Sequence, residues 1–208
     1  MLYDITPPIT PALPVWPGDN AATREVLMHM DKGDTVTLST LRATVHLGAH
    51  ADAPNHYAKD GRDIAAQPLE RYIGPCQVVR ISIARGERIG ARHLPKGVDI
   101  SEKRVLFATN TYDHAQGFTT DFAALEPALI DMLGARDVAT IGIDTPSVDL
   151  FDSKDLPAHA AMHRNDIAIL EGLILRDVPP GRYELIAPPL ALVGFDASPV
   201  RAVLRTID

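Results

Sequence analysis

The chain has 208 residues, of which 46% are apolar and 23% are charged, a composition typical of a globular domain that buries about 70% of its unfolded surface. The net charge of −7 comes without a cluster of Lys or Arg, which argues against a nucleic-acid partner because phosphate binding needs concentrated positive charge. The single cysteine, Cys76, excludes an intrachain disulfide framework and agrees with a reducing compartment. No secretion signal and no membrane-spanning run are visible, so we expect a cytoplasmic protein that acts on a small molecule.

Short apolar runs, separated by 17 prolines and 14 glycines, predict a strand-rich α/β domain with few helices. In chain order, we predict strands over 36–46, 76–83 and 104–109, a helix over 127–134, a strand over 138–143, a helix over 156–164, and strands over 167–171 and 190–195. Pro127 and Gly134 suit the first and last positions of the first helix. No repeat or linker divides the chain, so residues 1–208 are expected to form a single domain with a mixed, partly barrel-like sheet.

At and beyond the end of the first predicted strand, four side chains that can bind a metal stand at even intervals: His46, His50, Asp52 and His56. Side chains alternate between the two faces of an extended chain, so all four are expected to project to the same side. A glycine and a proline within the run disfavour a helix. Imidazole and carboxylate groups without thiolate predict a catalytic site for Zn²⁺, or for a neighbouring divalent ion such as Mn²⁺.

The same run admits other interpretations. His50 and Asp52, with a distant histidine, also match the two-histidine, one-carboxylate triad that holds Fe(II) in oxygenases. That alternative leaves two histidines of the run without a role. A non-catalytic metal-binding protein is the third possibility. His93 and His114 stand alone in the sequence, and we interpret them as ordinary surface or core histidines with satisfied hydrogen bonds.

Four candidate residues lie outside the run. Glu171 ends the apolar strand segment 167–170, where a buried charge is costly unless it is paired or bound to a metal, although a charge emerging at a strand end is also common. His159 and His163 share a possible helical face, so the spacing leaves open which of them binds a metal. Trp16, the only tryptophan, lies between two prolines and is either a core residue or a rigid platform for an aromatic substrate.

The run from His46 to His56 resembles the signature of the cyclase-like metal hydrolases, whose compact members are the bacterial kynurenine formamidases (arylformamidases). Other blocks are similar to blocks of that family in the same order: Pro14–Asp19, Gly74–Cys76, Gly142–Asp149 and Ile167–Leu173. The resemblance covers nearly the whole chain and implies the swivelling β/β/α fold of the family. Ala49 stands where the family generally has threonine, so a hydroxyl that helps to orient the ligands is expected to be missing.

The resemblance also implies a ligand set with two Zn²⁺ ions per subunit. The first ion is held by residues matching His46, His50 and Asp52, with the aspartate bridging, and the second by the same aspartate with His159 and Glu171. The family counterpart of His56 carries the proton, whereas the residues alone also allow a fourth metal ligand at this position. The family position matching Trp16 contacts the substrate.

The reaction that the resemblance implies is hydrolysis of N-formyl-L-kynurenine, an aryl formamide, to L-kynurenine and formate in tryptophan degradation by the kynurenine pathway. Relatives that open cyclic amides such as isatin have a similar metal run, so a cyclic-amide hydrolase is the nearest alternative. A homodimer is implied by the family as well.

Overall fold

The computed structural model describes residues 1–207. The strands are β1 (Leu2–Asp4), β2 (Thr23–Met28), β3 (Leu38–Arg42), β4 (His50–Asp52), β5 (Ile73–Arg80), β6 (Arg88–Ile89), β7 (Arg104–Ala108), β8 (Ala124–Leu125), β9 (Thr140–Ile143), β10 (Ala168–Glu171), β11 (Gly181–Ile186), β12 (Ala197–Pro199) and β13 (Val203–Thr206). The α-helices are α1 (Pro54–Tyr57), α2 (Pro127–Gly134) and α3 (Pro157–Arg164). The longest helices in the described part of the chain, α2 and α3, have eight residues each, far short of the length that spans a bilayer.

Nine strands form one mixed sheet that curls into a half-barrel, in the order β1-β13-β11-β5-β7-β9-β10-β4-β12. The central strands β5, β7, β9 and β10 run parallel, and antiparallel strands flank them on both sides. The remaining strands form two ribbons, β2 with β3 and β6 with β8. The predicted strand-rich α/β fold with a partly barrel-like mixed sheet is therefore confirmed.

The central strands are buried on both faces, as the alternation along β7 shows. Val105 and Phe107 pack in a cluster with side chains of α2 and α3, whereas Leu106 and Ala108 pack in the second cluster on the other face of the sheet. Strands with both faces covered are expected to be continuously apolar, and all five residues of β7 are buried. The carboxyl ends of these parallel strands point to the edge at which α/β proteins usually place their sites.

Most predicted elements correspond to observed ones, and two do not. The predicted segments 76–83, 104–109, 138–143 and 167–171 correspond to β5, β7, β9 and β10, and helix α2 has the predicted bounds. The strand predicted over 190–195 was wrong: the segment forms turns on the surface, where Val193 is 81% exposed and Gly194 has a φ of 81°. The strand predicted over 36–46 is too long, because β3 pairs only with β2 and ends at Arg42.

Candidate metal centre

Strand β4 carries His50 and Asp52 on one face, because residues two apart in a strand point the same way. The strand lies between β10 and β12 and is antiparallel to both. His50 is directly opposite Glu171 of β10, and directly opposed residues of an antiparallel pair project to the same face. The Nε2 of His50 accordingly lies 3.3 Å from Oε2 of Glu171. Strand pairing thus joins two metal-binding groups that are far apart in sequence.

The other predicted members of the run reach this place by different routes. His46 lies in an irregular segment before β4, and His56 lies on helix α1, which begins at Pro54. The expectation that strand alternation places all four side chains on one face holds only for His50 and Asp52, because only residues 50–52 are extended as a strand. The four side chains nevertheless converge, with the His46 ring 5.0 Å from the His50 ring and 4.3 Å from the His56 ring.

The alanines that alternate with the ligands face the other way. Ala49, Ala51 and Ala53 are at most 1% exposed and belong to the hydrophobic core. A hydroxyl at residue 49 would therefore lie among apolar side chains. The expectation that the missing hydroxyl at this position alters ligand orientation stays a prediction.

Asp52 lies at the centre of the candidate ligands. Its Oδ1 is 3.1 Å from Nδ1 of His46 and 3.3 Å from Nε2 of His50. Its Oδ2 is 3.4 Å from Nε2 of His159, and this nitrogen is also 3.7 Å from Oε1 of Glu171. The two oxygens of Asp52 therefore face different imidazoles, which is the arrangement that a bridging carboxylate requires.

Hydrogen bonds from Nδ1 fix the orientation of two histidine rings. The Nδ1 of His50 donates to the carbonyl oxygen of Gly48 at 2.9 Å, and the Nδ1 of His159 donates to Oδ2 of Asp149 at 2.9 Å. Asp149 also accepts a hydrogen bond from Arg88 at 2.8 Å. A proton on Nδ1 leaves Nε2 with a free lone pair, and metal-binding histidines are usually held in this way. Asp149 was not predicted to have a role, although it is the last residue of one of the blocks that resemble the family.

Two glycines allow the backbone to approach this centre closely. Gly172, which follows β10, has a φ of 65°, and a methyl group on its Cα would collide with the carbonyl oxygen of Gly48. Gly48 itself has a φ of 58°. Since the same carbonyl oxygen accepts the proton of His50, the absence of a side chain at residue 172 is needed for the orientation of this candidate ligand.

The buried donor atoms fit a divalent cation. His50 Nε2 and both oxygens of Asp52 are buried without a hydrogen bond within residues 1–207 and face one another only as ion pairs. A shared cation would satisfy these buried polar atoms. Burial opposes protonation of His50 and His159, yet the neighbouring carboxylates outweigh it and raise the pKa of each to about 10. The cluster therefore favours positive charge, and its nitrogen and oxygen donors suit Zn²⁺ or Mn²⁺.

The donor atoms fall into two sets, within each of which they lie no more than 4.8 Å apart: His46 with Asp52 and His56, and His50 with Asp52 and Glu171. Asp52 belongs to both sets, as expected for a bridge between two cations. His56 stands in a ligand set here, so the geometry leaves open whether it binds a cation or carries a proton. His159 and His163 belong to neither set, but Nε2 of His159 faces Asp52 and Glu171, whereas His163 lies on the exposed side of α3.

Residues 3–150 match the model of the Cyclase family. The chain belongs to the Cyclase family. Among solved structures, one described as a potential metal-dependent hydrolase with cyclase activity is 31% identical, with a TM-score of 0.83 over 98% of this chain and 96% of that one. A predicted metal-dependent hydrolase from Bacillus stearothermophilus is 29% identical, with a TM-score of 0.80 over 98% and 97%. Isatin hydrolase A from Labrenzia aggregata, at 23% identity, a TM-score of 0.83 and coverage of 98% and 93%, shares the fold.

Membership of this family makes the chain a cyclase-like metal-dependent hydrolase. The Fe(II) oxygenase interpretation loses its support, because the family is described as cyclases and the solved relative at 31% identity as a metal-dependent hydrolase.

In this cyclase-family chain a cavity of about 250 Å³ opens onto the metal-binding side chains. Trp16 lines it and is half-buried. Its ring centroid lies 5.4 Å from that of Phe118 and 5.0 Å from that of Phe151, distances typical of packed aromatic pairs. Trp16 is therefore held by an aromatic cluster and also presents its indole to the cavity, so both interpretations of this residue describe part of its environment.

The sequence analysis missed Asp196. Its Oδ2 lies 3.1 Å from Nε2 of His46 and 3.4 Å from Nδ1 of His56. Asp196 comes just before β12, where Ala197 is directly opposite Asp52. No residue pattern pointed to Asp196, because its contacts depend on the pairing of two distant strands.

The interpretation of the two lone histidines is confirmed for one and corrected for the other. His93 accepts a hydrogen bond from the backbone N–H of Gly90 at 2.9 Å, as an ordinary satisfied histidine does. His114 lines the cavity instead. Its Nε2 donates to the carbonyl oxygen of Gly172 at 3.0 Å, and its Nδ1 is buried without a partner among the described residues. The position of His114 follows from the loop after β7, which sequence periodicity does not describe.

Proposed function

We propose that this chain is a zinc-dependent kynurenine formamidase, which hydrolyses N-formyl-L-kynurenine to L-kynurenine and formate. The observation that carries the proposal is a cavity with an aromatic wall, lined by His46, His50 and His159, the imidazoles that surround the two unpartnered buried oxygens of Asp52. An aryl formamide matches both parts of this arrangement. Its ring stacks on Trp16, and its small polar amide reaches the metal-binding groups.

The residues that would hold the cations are those that converge on Asp52. His46, His50 and Asp52 would bind one Zn²⁺, and Asp52, His159 and Glu171 the second, with Mn²⁺ as the alternative ion. When bound, such cations supply a hydroxide from water at neutral pH and polarise the amide carbonyl. Gly48 and Asp149 keep the protons of two ligands on Nδ1, so that Nε2 faces the site.

His56 is proposed to carry the proton. The nitrogen that leaves must gain a proton, and an imidazole transfers protons readily near neutral pH. The side chain of His56 is 34% exposed and lines the cavity, so it is accessible to the substrate. Its Nδ1 lies 3.4 Å from the Asp196 carboxylate, which would orient the ring and leave Nε2 free to exchange the proton with the amide.

The test is formate release from N-formyl-L-kynurenine by metal-depleted protein to which Zn²⁺, Mn²⁺ or Fe²⁺ is added separately, while oxygen consumption is followed. We expect formate without oxygen uptake and the highest activity with Zn²⁺. Absence of formate with every ion would refute the proposal. Oxygen uptake that depends on Fe²⁺ would revive the oxygenase alternative.

Ring opening of a cyclic aryl amide such as isatin is the second candidate. The observation that favours it is the cavity lining, which within the described chain contains no Lys or Arg to pair with the carboxylate of an amino-acid substrate. A neutral, compact amide requires no such partner. Isatin and N-formyl-L-kynurenine are to be compared in the same preparation, and a kcat/KM for isatin above that for the formamide would select this candidate.

A further inference from the structure

The charges around the cavity are unevenly distributed. Its lining within residues 1–207 has two carboxylates, Asp19 and Glu171, and no lysine or arginine. Glu171 is only 3% exposed and faces the metal-binding histidines. Asp19 is exposed and therefore lies at the rim. Outside the metal centre, the cavity thus offers a substrate one formal charge, and this charge is negative.

The carboxylate of Asp19 is held in place by its neighbours. Its Oδ1 accepts the backbone N–H of Asn20 at 2.7 Å, and its Oδ2 accepts the hydroxyl of Thr44 at 2.5 Å. The hydroxyl oxygen of Thr44 in turn accepts the backbone N–H of His46 at 3.2 Å. A carboxylate has about four acceptor positions, so each oxygen retains a lone pair that faces no protein donor. The group is oriented and can still accept a hydrogen bond.

An aromatic surface lies beside this carboxylate. The backbone N–H of Asp19 donates to the carbonyl oxygen of Trp16 at 2.9 Å, so both residues belong to one turn, and both line the cavity. A carboxylate and an indole together form the kind of site that binds ammonium groups, by a charge-assisted hydrogen bond and by cation–π attraction. The net charge of −7 also favours the approach of cations.

We infer that Asp19 and Trp16 form a subsite for a protonated amine on the side chain of the substrate, and that outside the metal centre the cavity offers no partner to an anionic substituent. The inference rests on the proposed function and narrows its substrate class to aryl amides that carry a free amine. In N-formyl-L-kynurenine, the α-ammonium would contact Asp19, while the α-carboxylate would remain in solvent at the rim. A decarboxylated analogue with only the amine should therefore bind at least as well.

Binding can be measured without turnover, because Trp16 is the only tryptophan of the chain and its fluorescence reports on the cavity. The probes are deformylated ring compounds that differ in charge: kynuramine (cation), L-kynurenine (zwitterion), 2-aminoacetophenone (neutral) and 2-aminobenzoate (anion). We expect kynuramine to bind the wild-type, metal-loaded protein about tenfold or more tighter than the neutral ketone. We also expect L-kynurenine to bind no tighter than kynuramine, because its α-carboxylate finds no cationic side chain at the rim.

Variants assign the preference to one residue. Asp19→Asn should lower the affinity for kynuramine by about tenfold while changing that for the neutral ketone by less than about twofold. Asp19→Glu should retain the preference for the amine. The control is Asp99→Asn, which removes one negative charge at an exposed side chain that does not line the cavity. If Asp19→Asn fails to fold, the ranking of the four probes on the wild-type protein decides.

The inference is overturned if the neutral ketone binds the wild-type protein as tightly as kynuramine does, or if Asp99→Asn weakens kynuramine binding as much as Asp19→Asn does. These outcomes are distinct from failure of the proposed function. Formamides hydrolysed without any preference for an amine would retain the function and remove the subsite. An intact preference for the amine, without hydrolysis of any formamide, would retain the subsite and remove the function.

Discussion

Asp52 and Asp144 are both buried aspartates, and they differ in how their charge is satisfied. Asp144 lines one cavity, whereas Asp52 lies behind the imidazoles that line another. Asp144 follows β9 and accepts hydrogen bonds from the backbone N–H of Thr109 at 2.8 Å, the hydroxyl of Thr109 at 2.6 Å and the backbone N–H of Asn110 at 2.8 Å. Asp52 has no hydrogen-bond partner on either oxygen within the described chain. The cavity at Asp144 is the larger one, about 470 Å³ against about 250 Å³.

Buried oxygen and nitrogen atoms without a hydrogen bond, and not the size of the cavity, mark the candidate site. Burial raises the pKa of Asp144, but three donors compensate its charge, so it serves as a structural link between the loops after β7 and β9. Burial opposes ionisation of Asp52 as well, yet the surrounding imidazoles hold its pKa well below the usual range. The charge of Asp52 is therefore balanced by protons on the imidazoles, and a bound cation would replace these protons.

Replacing Asp52 tests this contrast and should have the largest effect. In Asp52→Asn we expect affinity for Zn²⁺ to fall by more than the roughly 10–100-fold that loss of an outer hydrogen-bond partner costs, and hydrolysis to cease. Zinc at about 100 times Kd should stabilise the wild-type protein by about 2.7 kcal/mol, and the variant by much less. Thermal unfolding with and without zinc measures both. Equal stabilisation of the two proteins would show that Asp52 is not a ligand.

Replacing His56 tests whether this residue carries a proton or binds a metal, and should have the second-largest effect. His56→Ala should lower turnover by about a hundredfold to ten-thousandfold while metal content is retained, because a proton carrier is lost and the ligands remain. Metal content and kcat are measured on the same sample, with His163→Ala on the exposed side of α3 as the control. Loss of metal in His56→Ala would instead identify His56 as a ligand, as its proximity to His46 and Asp52 allows.

At Asp144 we expect a loss of stability without a loss of zinc affinity. Asp144→Ala should lower the free energy of unfolding by about 1–3 kcal/mol, because buried N–H donors of Thr109 and Asn110 lose their acceptor. Affinity for zinc should remain within about twofold of the wild-type value. Denaturant unfolding and metal titration check the two halves of the prediction. A large loss of metal affinity would mean that the two cavities are coupled.

Replacing Asp131, a surface carboxylate paired with Arg164, should have the smallest effect. Asp131 accepts hydrogen bonds from Arg164 and Asn165, and the Arg164 guanidinium lowers its pKa. A lowered pKa stabilises the fold above the unfolded value near 3.8 and loses this contribution as the pH falls through the folded pKa. Because the side chain of Asp131 is 45% exposed, Asp131→Asn should cost less than about 1 kcal/mol at pH 7. Unfolding measured from pH 7 to pH 2 should show the difference from wild type vanish at the acid end.

Local sequence determined several parts of this protein. The apolar, β-branched runs specified the central parallel strands, and Pro127 with Gly134 set the bounds of α2, because these signals lie within a few residues of each other. The clustered histidines with Asp52 specified a metal site of nitrogen and oxygen ligands, which the structure brings together. The homodimer, the zinc ions and the cytoplasmic location remain predictions.

Only the tertiary structure decided which distant groups join that site. Pairing of β4 with β10 places Glu171 opposite His50, and pairing with β12 brings Asp196 beside His46. The satisfaction of Asp144 and the exposure of Asp19 at the cavity rim were likewise invisible in the sequence. The physical reason is that strand register and loop closure depend on contacts between residues far apart in the chain, whereas periodicity and turn preferences report only on neighbours.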